Sequence, residues 1–473
     1  MSKLKVFFSN VSYSLFANAL RLIVSVASYV LIPVIMGDRI DQYGYFQVYL
    51  FYIGYIGLFQ LGIGEGALLQ EGGKEYADLD RSKYSFQFRF LLAGELLISI
   101  VIIILVTIFN DEVDYVFIAF AFGANLLIYL PRDLLAYLLQ ASNRIKEATA
   151  LITIIGRSTY LLCLIILWNI HYQRYYLFAA ADILSKLCEL IYIIIVCRDI
   201  VFARQASWLV GIRGVIQNIS AGIKLMFTGI ANLIITGITR FAIQQEWDVI
   251  TYGKISLMLS TTNLVLTFIS AMAVVLYPAL RRIGPERAIS LYHAIRDILM
   301  ALLLCTVIFC YPLQVIMMKI FPQYHESLVY IPILFPACIF SAKVTMLIQT
   351  YMQVFRLERE ILKVNLLTVG VAMASTAVSV YVYHSLMLAV VAILFTTAFR
   401  CLLAEYVLSK RLGISVFKDS VIEILYVSLF VAISFLIGEK QGMLISIPVY
   451  LIYVTAKAKS VIAAWNLIRQ ENE

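Results

Sequence analysis

Long apolar runs recur along the whole chain, each separated from the next by a short polar break, and this pattern constrains the fold more than any single motif. Fourteen runs stand out, at 11–35, 43–68, 84–109, 113–140, 148–169, 175–197, 218–241, 252–278, 293–319, 326–354, 361–383, 386–408, 418–437 and 442–457. A helix rises about 1.5 Å per residue, so roughly 20 apolar residues cross a bilayer, and most of these runs reach that length. The 473 residues are 62% hydrophobic and only 14% charged, and the mean hydropathy is +0.90. A soluble domain carries about 25% charge. The expectation is therefore an all-α polytopic membrane protein of about fourteen transmembrane helices.

Charge sorts the breaks between runs. Lys3, Lys5, Lys74, Arg81, Lys83, Arg144 and Lys146 open a series on the N-terminal side. It continues through Arg198, Arg204, Arg213, Arg281, Arg282, Arg287, Arg356 and Arg359 to Lys410, Arg411, Lys418, Lys457, Lys459 and Arg469. The opposite breaks hold little beyond Arg39, Arg174, Lys319 and Lys440. Positive charge concentrates on the cytoplasmic side, here by roughly five to one, so both termini are expected in the cytoplasm. The net charge of +8 is thus assigned to topology, and nucleic acid is not expected as a partner. The first run is too long and too polar on one face for a cleaved signal. The seven cysteines all fall in apolar stretches and read as packing residues, and the four scattered histidines form no metal constellation.

The break Arg198 to Gln217 carries Trp208 and spaced arginines. It reads equally as an amphipathic interfacial helix or as a plain basic linker. Either way it divides the chain into an N-lobe at 1–203 with six spans, a linker and C-lobe at 204–411 with six more, and a terminal pair with its tail at 412–473. A weak internal repeat lays Arg21 on Asn232, Ser25 on Thr236 and Ser28 on Thr239, and Tyr43-Gly44 matches Tyr252-Gly253. Six spans return the chain to its starting side, so such halves would be parallel repeats about an axis along the membrane normal. Transporters built this way bind cargo between the halves near mid-membrane.

Polar residues inside the runs indicate where chemistry is done. Asn10, Ser14, Asn18, Arg21, Ser25 and Ser28 recur at intervals of three and four, which aligns them on one helical stripe. Arg21 sits near mid-span, where an arginine costs at least about 3 kcal/mol and normally faces water or a partner. It either serves cargo or pairs with a carboxylate on a neighbouring helix. Arg157 and Lys343 are comparably deep. Lys224 and Arg240 lie near span ends and can snorkel, and Arg400 adds a further basic residue to the C-lobe. Asp182, Lys186 and Glu189 follow an i, i+4, i+7 pattern and can neutralise one another. Glu95, Asp182 and Glu189 are candidates for ion coupling. Pro131 precedes Arg132-Asp133, so a bend is expected there. Asn125, Asn263 and Asn365 can bond across helices. Surplus Arg and Lys at membrane depth suit an anionic, phosphate-bearing cargo, because the guanidinium offers a planar fork that stays charged.

The stretch Tyr43-Gly44-Tyr45-Phe46-Gln47 through Leu61-Gly62-Ile63-Gly64 follows the turn Gly37-Asp38-Arg39. With the polar first span, the Pro278-Ala279-Leu280 ending of the eighth span and the fourteen-span plan, it resembles the polysaccharide-transport branch of the multidrug/oligosaccharidyl-lipid/polysaccharide flippase superfamily. The resemblance covers most of the chain and contains no short diagnostic motif. It implies a flippase in the bacterial cytoplasmic (inner) membrane for an undecaprenyl-pyrophosphate-linked repeat unit of O-antigen or exopolysaccharide type. It also implies alternating access, no resident cofactor, a proton or sodium gradient as the driving force, and neighbours among the glycan polymerase and chain-length machinery. Relatives engage the pyrophosphate through first-span arginines, a place that Arg21 occupies. Asn18, Ser25, Arg157, Lys343, Lys224, Arg240 and Arg400 complete the expected binding set, and the last two spans would form a lateral groove for the lipid tail.

Two other classes remain open from the residues. A multidrug antiporter would expose unpaired carboxylates to cationic substrates. A membrane glycan polymerase or glycosyltransferase could use Asp38 and Asp41, although both fit a turn and cap around Gly37 and Gly44 and the external breaks are short.

Overall fold

The computed structural model describes the backbone of residues 3–283, 285–437 and 439–470; its described side chains exclude 3–12, 14, 15, 228, 232, 268–285, 439, 440 and 458–470. Asn232 and the Pro278-Ala279-Leu280 segment therefore lie outside the described side chains. The described backbone is predominantly helical, with turns between helices and no strand among the described residues. It divides into two compact units, 1–233 and 234–473.

The first unit contains α1 (Lys3–Met36), α2 (Ile40–Ile53), α3 (Ile63–Glu71), α4 (Arg81–Phe109), α5 (Val113–Ala141), α6 (Ile152–Asn169), α7 (Tyr175–Val196) and the short α8 (Arg198–Val201). The long α9 (Trp208–Glu246) begins here and carries the boundary between units within it. Local sequence sets the ends. Gly37, at φ +57°, takes the left-handed conformation that stops α1, and its N–H donates back to the Pro33 carbonyl at 3.0 Å. Asp80 caps α4 by accepting from the backbone N–H groups of Ser82 and Lys83 at 3.0 and 3.1 Å. Those bonds outweigh burial and hold its carboxyl below the ordinary value, so the cap is present above the unfolded aspartate range and lost as pH falls through the lowered value. Asp80→Ala is expected to cost about 1 kcal/mol, measured as a lowered unfolding temperature in detergent.

The second unit contains α10 (Val249–Ile283), α11 (Pro285–Ile308), α12 (Cys310–Ile320), α13 (Ile331–Lys343), α14 (Gln349–Val354), α15 (Glu358–Thr376), α16 (Leu386–Leu412), α17 (Phe417–Leu436) and α18 (Glu439–Gln470). Within 322–354, which includes α13, 89% of the apolar 18-residue core of the span is buried, whereas in the other single-helix candidate spans that share does not exceed 50%. α13 is thus the central helix of its unit, which agrees with its nearly uniform apolar sequence.

Among the described residues, ten helices are long and apolar enough to cross a membrane, or twelve if two bent pairs each count as one span. The other two expected runs are also helical. α7 has the length of a span but carries Asp182, Lys186 and Glu189, and α18 covers the fourteenth run. The break after the sixth run is not a separate interfacial helix: α8 is one turn long, and Trp208 opens α9 directly. The Trp208 ring packs edge-on against Phe86 at 5.4 Å. Pro131 lies inside α5, which runs from Val113 to Ala141.

A true break falls in the second run. Leu61 and Gly62 take positive φ, at 53° and 81°, and a 51° bend separates Ile40–Gln60 from α3. Beyond it α3 meets α9 backbone to backbone. A Cβ at Gly66 would overlap the Asn218 carbonyl, and a Cβ at Gly222 would overlap the Gly62 carbonyl. Glycine is required at both positions because there is no room for a side chain.

Candidate functional site

The first unit holds a cavity of about 330 Å³, open on one side, whose polar wall comes from four helices. α1 contributes Arg21; α5 contributes Tyr129, Arg132 and Asp133; α6 contributes Thr153, Gly156 and Arg157; and α7 contributes Asp182, Lys186 and Glu189. Helical spacing explains each set. Tyr129, Arg132 and Asp133 fall within about one turn, as do Thr153, Gly156 and Arg157, and 182, 186 and 189 share one face of α7. The π-helical turn Lys146–Leu151 precedes α6 and adds Ala148 and Thr149 to the lining. Such turns often mark functional positions.

Most charges in the cavity are committed to one another. Lys186 donates to Asp182 at 2.6 Å and to Asn125 at 2.7 Å; Tyr49 donates to Asp182 at 2.6 Å and accepts from Asn125 at 2.9 Å. These four side chains close a ring, so Asn125 bonds across helices as expected. The i, i+7 partner behaves differently from the sequence reading: Glu189 is paired with Arg132 on α5 at 3.2 Å. Arg132 also pairs with Asp133 at 3.3 Å and lies 4.3 Å from the Tyr129 ring centroid. The cross-helix partner prevails because a guanidinium fork can hold two carboxylates at once.

Gly156 makes the Glu189 position possible. A Cβ there would overlap Glu189 Oε1, so the carboxylate rests against the α6 backbone beside Arg157. Glycine inside a helix costs up to about 1 kcal/mol relative to alanine, and close packing of this carboxylate explains its presence. Gly156→Ala is expected to push the Glu189 carboxylate, the far end of a flexible side chain, out of the notch, with little net change in stability because alanine gains up to about 1 kcal/mol in helix propensity. Thermal unfolding of the purified protein measures it.

Arg21 and Arg157 are left over. Arg21 donates to Thr153 Oγ1 at 3.5 Å, a long bond. Among the described residues neither arginine has a carboxylate within ion-pair distance, although Glu189 lies within electrostatic reach of both. The sequence pointed to both arginines and to Arg132, Asp133 and α7, whereas Tyr129, Thr153 and Gly156 gave no depth or charge signal. A glycine inside an apolar run was the one available sign.

The other expected binding residues lie elsewhere. Asn18 and Ser25 flank Arg21 on α1 but do not line the cavity. Lys224 is exposed on α9. Arg240 reaches Tyr252 Oη and Ser256 Oγ at 3.5 and 3.4 Å, and Arg400 donates to Asn365 at 3.2 Å. Glu95 is buried on α4 between Leu91 and Ser99, and its Oε2 has no hydrogen-bond partner among the described residues.

Lys343 is enclosed at 1% exposure and donates to Glu405 at 2.6 Å and Glu423 at 2.7 Å. Both carboxylates also hold Arg296, at 2.7 and 2.8 Å, and Arg296 has no exposed surface. Tyr292 and Ser420 complete the shell of Glu405 at 3.2 and 2.9 Å, and Lys457 joins Asp297 to Asp419 nearby. The network ties α11, α13, α16, α17 and α18 together. Arg296 and Glu423 were not singled out in the sequence because each stood near the expected start of a run; α11 starts earlier, which places Arg296 well inside it.

No family model matches the chain, and no curated protein matches it. Solved structures do. An inward closed structure of the lipid II flippase MurJ superposes with a TM-score of 0.63 at 13% identity, covering 96% of this chain and 100% of that one. An inward-facing MATE multidrug resistance transporter of the MOP superfamily superposes with a TM-score of 0.58 at 13% identity, covering 83% and 98%. At such identity the likeness concerns architecture. The chain shares the all-helical architecture of these two proteins.

Proposed function

We propose that the protein is a flippase that carries an undecaprenyl-pyrophosphate-linked oligosaccharide, of O-antigen or exopolysaccharide type, from the cytoplasmic to the outer leaflet of the bacterial inner membrane. One observation supports this reading above the others: Arg21 and Arg157 face a common cavity without carboxylate partners, while the remaining charges around it are paired. Two guanidinium groups without carboxylate partners form a receptor for a phosphorylated headgroup. In this scheme the pyrophosphate rests on the two arginines, the glycan occupies the wet interior and the polyprenyl tail stays in lipid. Alternating access then exposes the headgroup to either side, and the delivered unit passes to the glycan polymerase.

The same observation weighs against export of cationic drugs, because Asp182, Glu189 and Asp133 are each held by a lysine or arginine. The test is a reconstituted translocation assay with a fluorescent, short-chain polyprenyl pyrophosphoryl oligosaccharide, run beside a cationic dye. Movement of the pyrophosphate lipid alone is the expected result; movement of the dye alone overturns the reading. In cells, deleting the protein should make lipid-linked repeat units accumulate on the cytoplasmic side.

A further inference from the structure

The charges lining the N-terminal cavity do not balance once an anion enters, and the geometry shows which group must respond. Four cations (Arg21, Arg132, Arg157 and Lys186) face three carboxylates (Asp133, Asp182 and Glu189). The empty site therefore carries one surplus positive charge. A pyrophosphate diester brings two negative charges, which would leave the filled site one charge negative. A net charge held among half-buried groups is unfavourable, so the filled site favours the uptake of one proton.

The three carboxylates are not equivalent acceptors for it. Asp182 is locked into the ring with Tyr49, Lys186 and Asn125. Asp133 pairs with Arg132, its sequence neighbour, at 3.3 Å. Glu189 is only 13% exposed at its side chain and contacts Arg132 through one oxygen, while the other rests in the Gly156 notch beside Arg157. It faces Tyr129, Arg132 and Asp133 from α5, Arg157 from α6 and Arg21 from α1, with Asp182 and Lys186 on its own helix. A headgroup held by Arg21 and Arg157 thus competes with Glu189 for the same cations. Two anions sharing one set of cations at close range favour protonation of the weaker acid, and a carboxylate is a far weaker acid than a phosphodiester.

We propose that Glu189 takes up a proton from water in the cavity as the anionic headgroup binds, so that cargo and proton occupy the site together. Only an O–H bond on the Glu189 carboxylate forms, and the proton comes from solvent. The inference rests on the flippase reading and adds its linkage to pH. It differs from a carboxylate that holds either a cation or a proton, since here the proton and the cargo favour one another.

The experiment uses the purified full-length protein and a short-chain prenyl pyrophosphoryl-N-acetylglucosamine, a diester that does not itself titrate across the neutral range. Calorimetry in buffers of different ionisation enthalpy counts the protons exchanged. The wild type is expected to take up about one proton per bound lipid, and its affinity to weaken by up to about tenfold per pH unit on the alkaline side. Glu189→Gln keeps the shape of the side chain and is expected to bind with no proton uptake and a flat pH profile. Binding by the wild type without proton uptake, or an unchanged pH slope in Glu189→Gln, overturns the proposal and leaves the flippase reading standing. Failure of the wild type to bind the lipid, with a folded protein shown by its unfolding transition, overturns both.

Discussion

Arg21→Ala is expected to reduce transfer of a pyrophosphate-linked oligosaccharide by about a hundredfold or more, while the protein stays folded in the membrane. The magnitude follows from the loss of a bidentate, charge-assisted contact worth about 3 kcal/mol. Stability should change little. Arg21 is exposed to the cavity, and among the described residues its one side-chain hydrogen bond is the long contact with the half-buried Thr153, so none of them is left buried and orphaned by its removal. Arg21→Lys retains the charge but not the fork and should recover part of the rate. Arg157→Ala should resemble Arg21→Ala, and the double variant should lose little more than either single one if both arginines hold one headgroup. Reconstituted translocation and surface-glycan display both measure this. Normal glycan display by Arg21→Ala would contradict the anchor role.

The second large effect lies in the other unit and concerns stability. Glu423→Ala leaves Arg296 and Lys343 short of one carboxylate in an interior where Arg296 is wholly enclosed. Removing one member of a buried ion network typically costs about 3–5 kcal/mol. The expected result is a much lower unfolding temperature and loss of protein from the membrane fraction. Lys343→Ala should behave in the same way, since it exposes Glu405 and Glu423 to each other. The decisive comparison is with headgroup binding. If Lys343 serves the network, the folded fraction of Lys343→Met binds the pyrophosphate lipid as tightly as the wild type. A binding defect without a stability defect would return Lys343 to the cargo site.

Much of the architecture could be read from run lengths, because a bilayer leaves a helical chain few alternatives. The site was legible where depth alone was informative. Arg21 and Arg157 sit mid-run, and the structure brings both to one cavity. What could not be read was pairing. Glu189 appeared to belong with Lys186 through helical spacing, yet Arg132 on another helix holds it. Lys343 appeared to be a lone charge because its partners Glu405 and Glu423 are 62 and 80 residues away in sequence. The same residue types serve as binding groups or as internal struts, depending on contacts that only tertiary structure supplies.

The glycine seam between α3 and α9 has a consequence for any mutational survey of this protein. Since even one methyl group at Gly66 or Gly222 would run into main-chain atoms, these positions should be as intolerant as the arginines of the cavity, although neither lines it. Functional scores alone would therefore place two separate hot spots on the first unit. Abundance measured in parallel would tell them apart: variants of the seam should disappear from the membrane, whereas variants of Arg21 should remain there, present and silent.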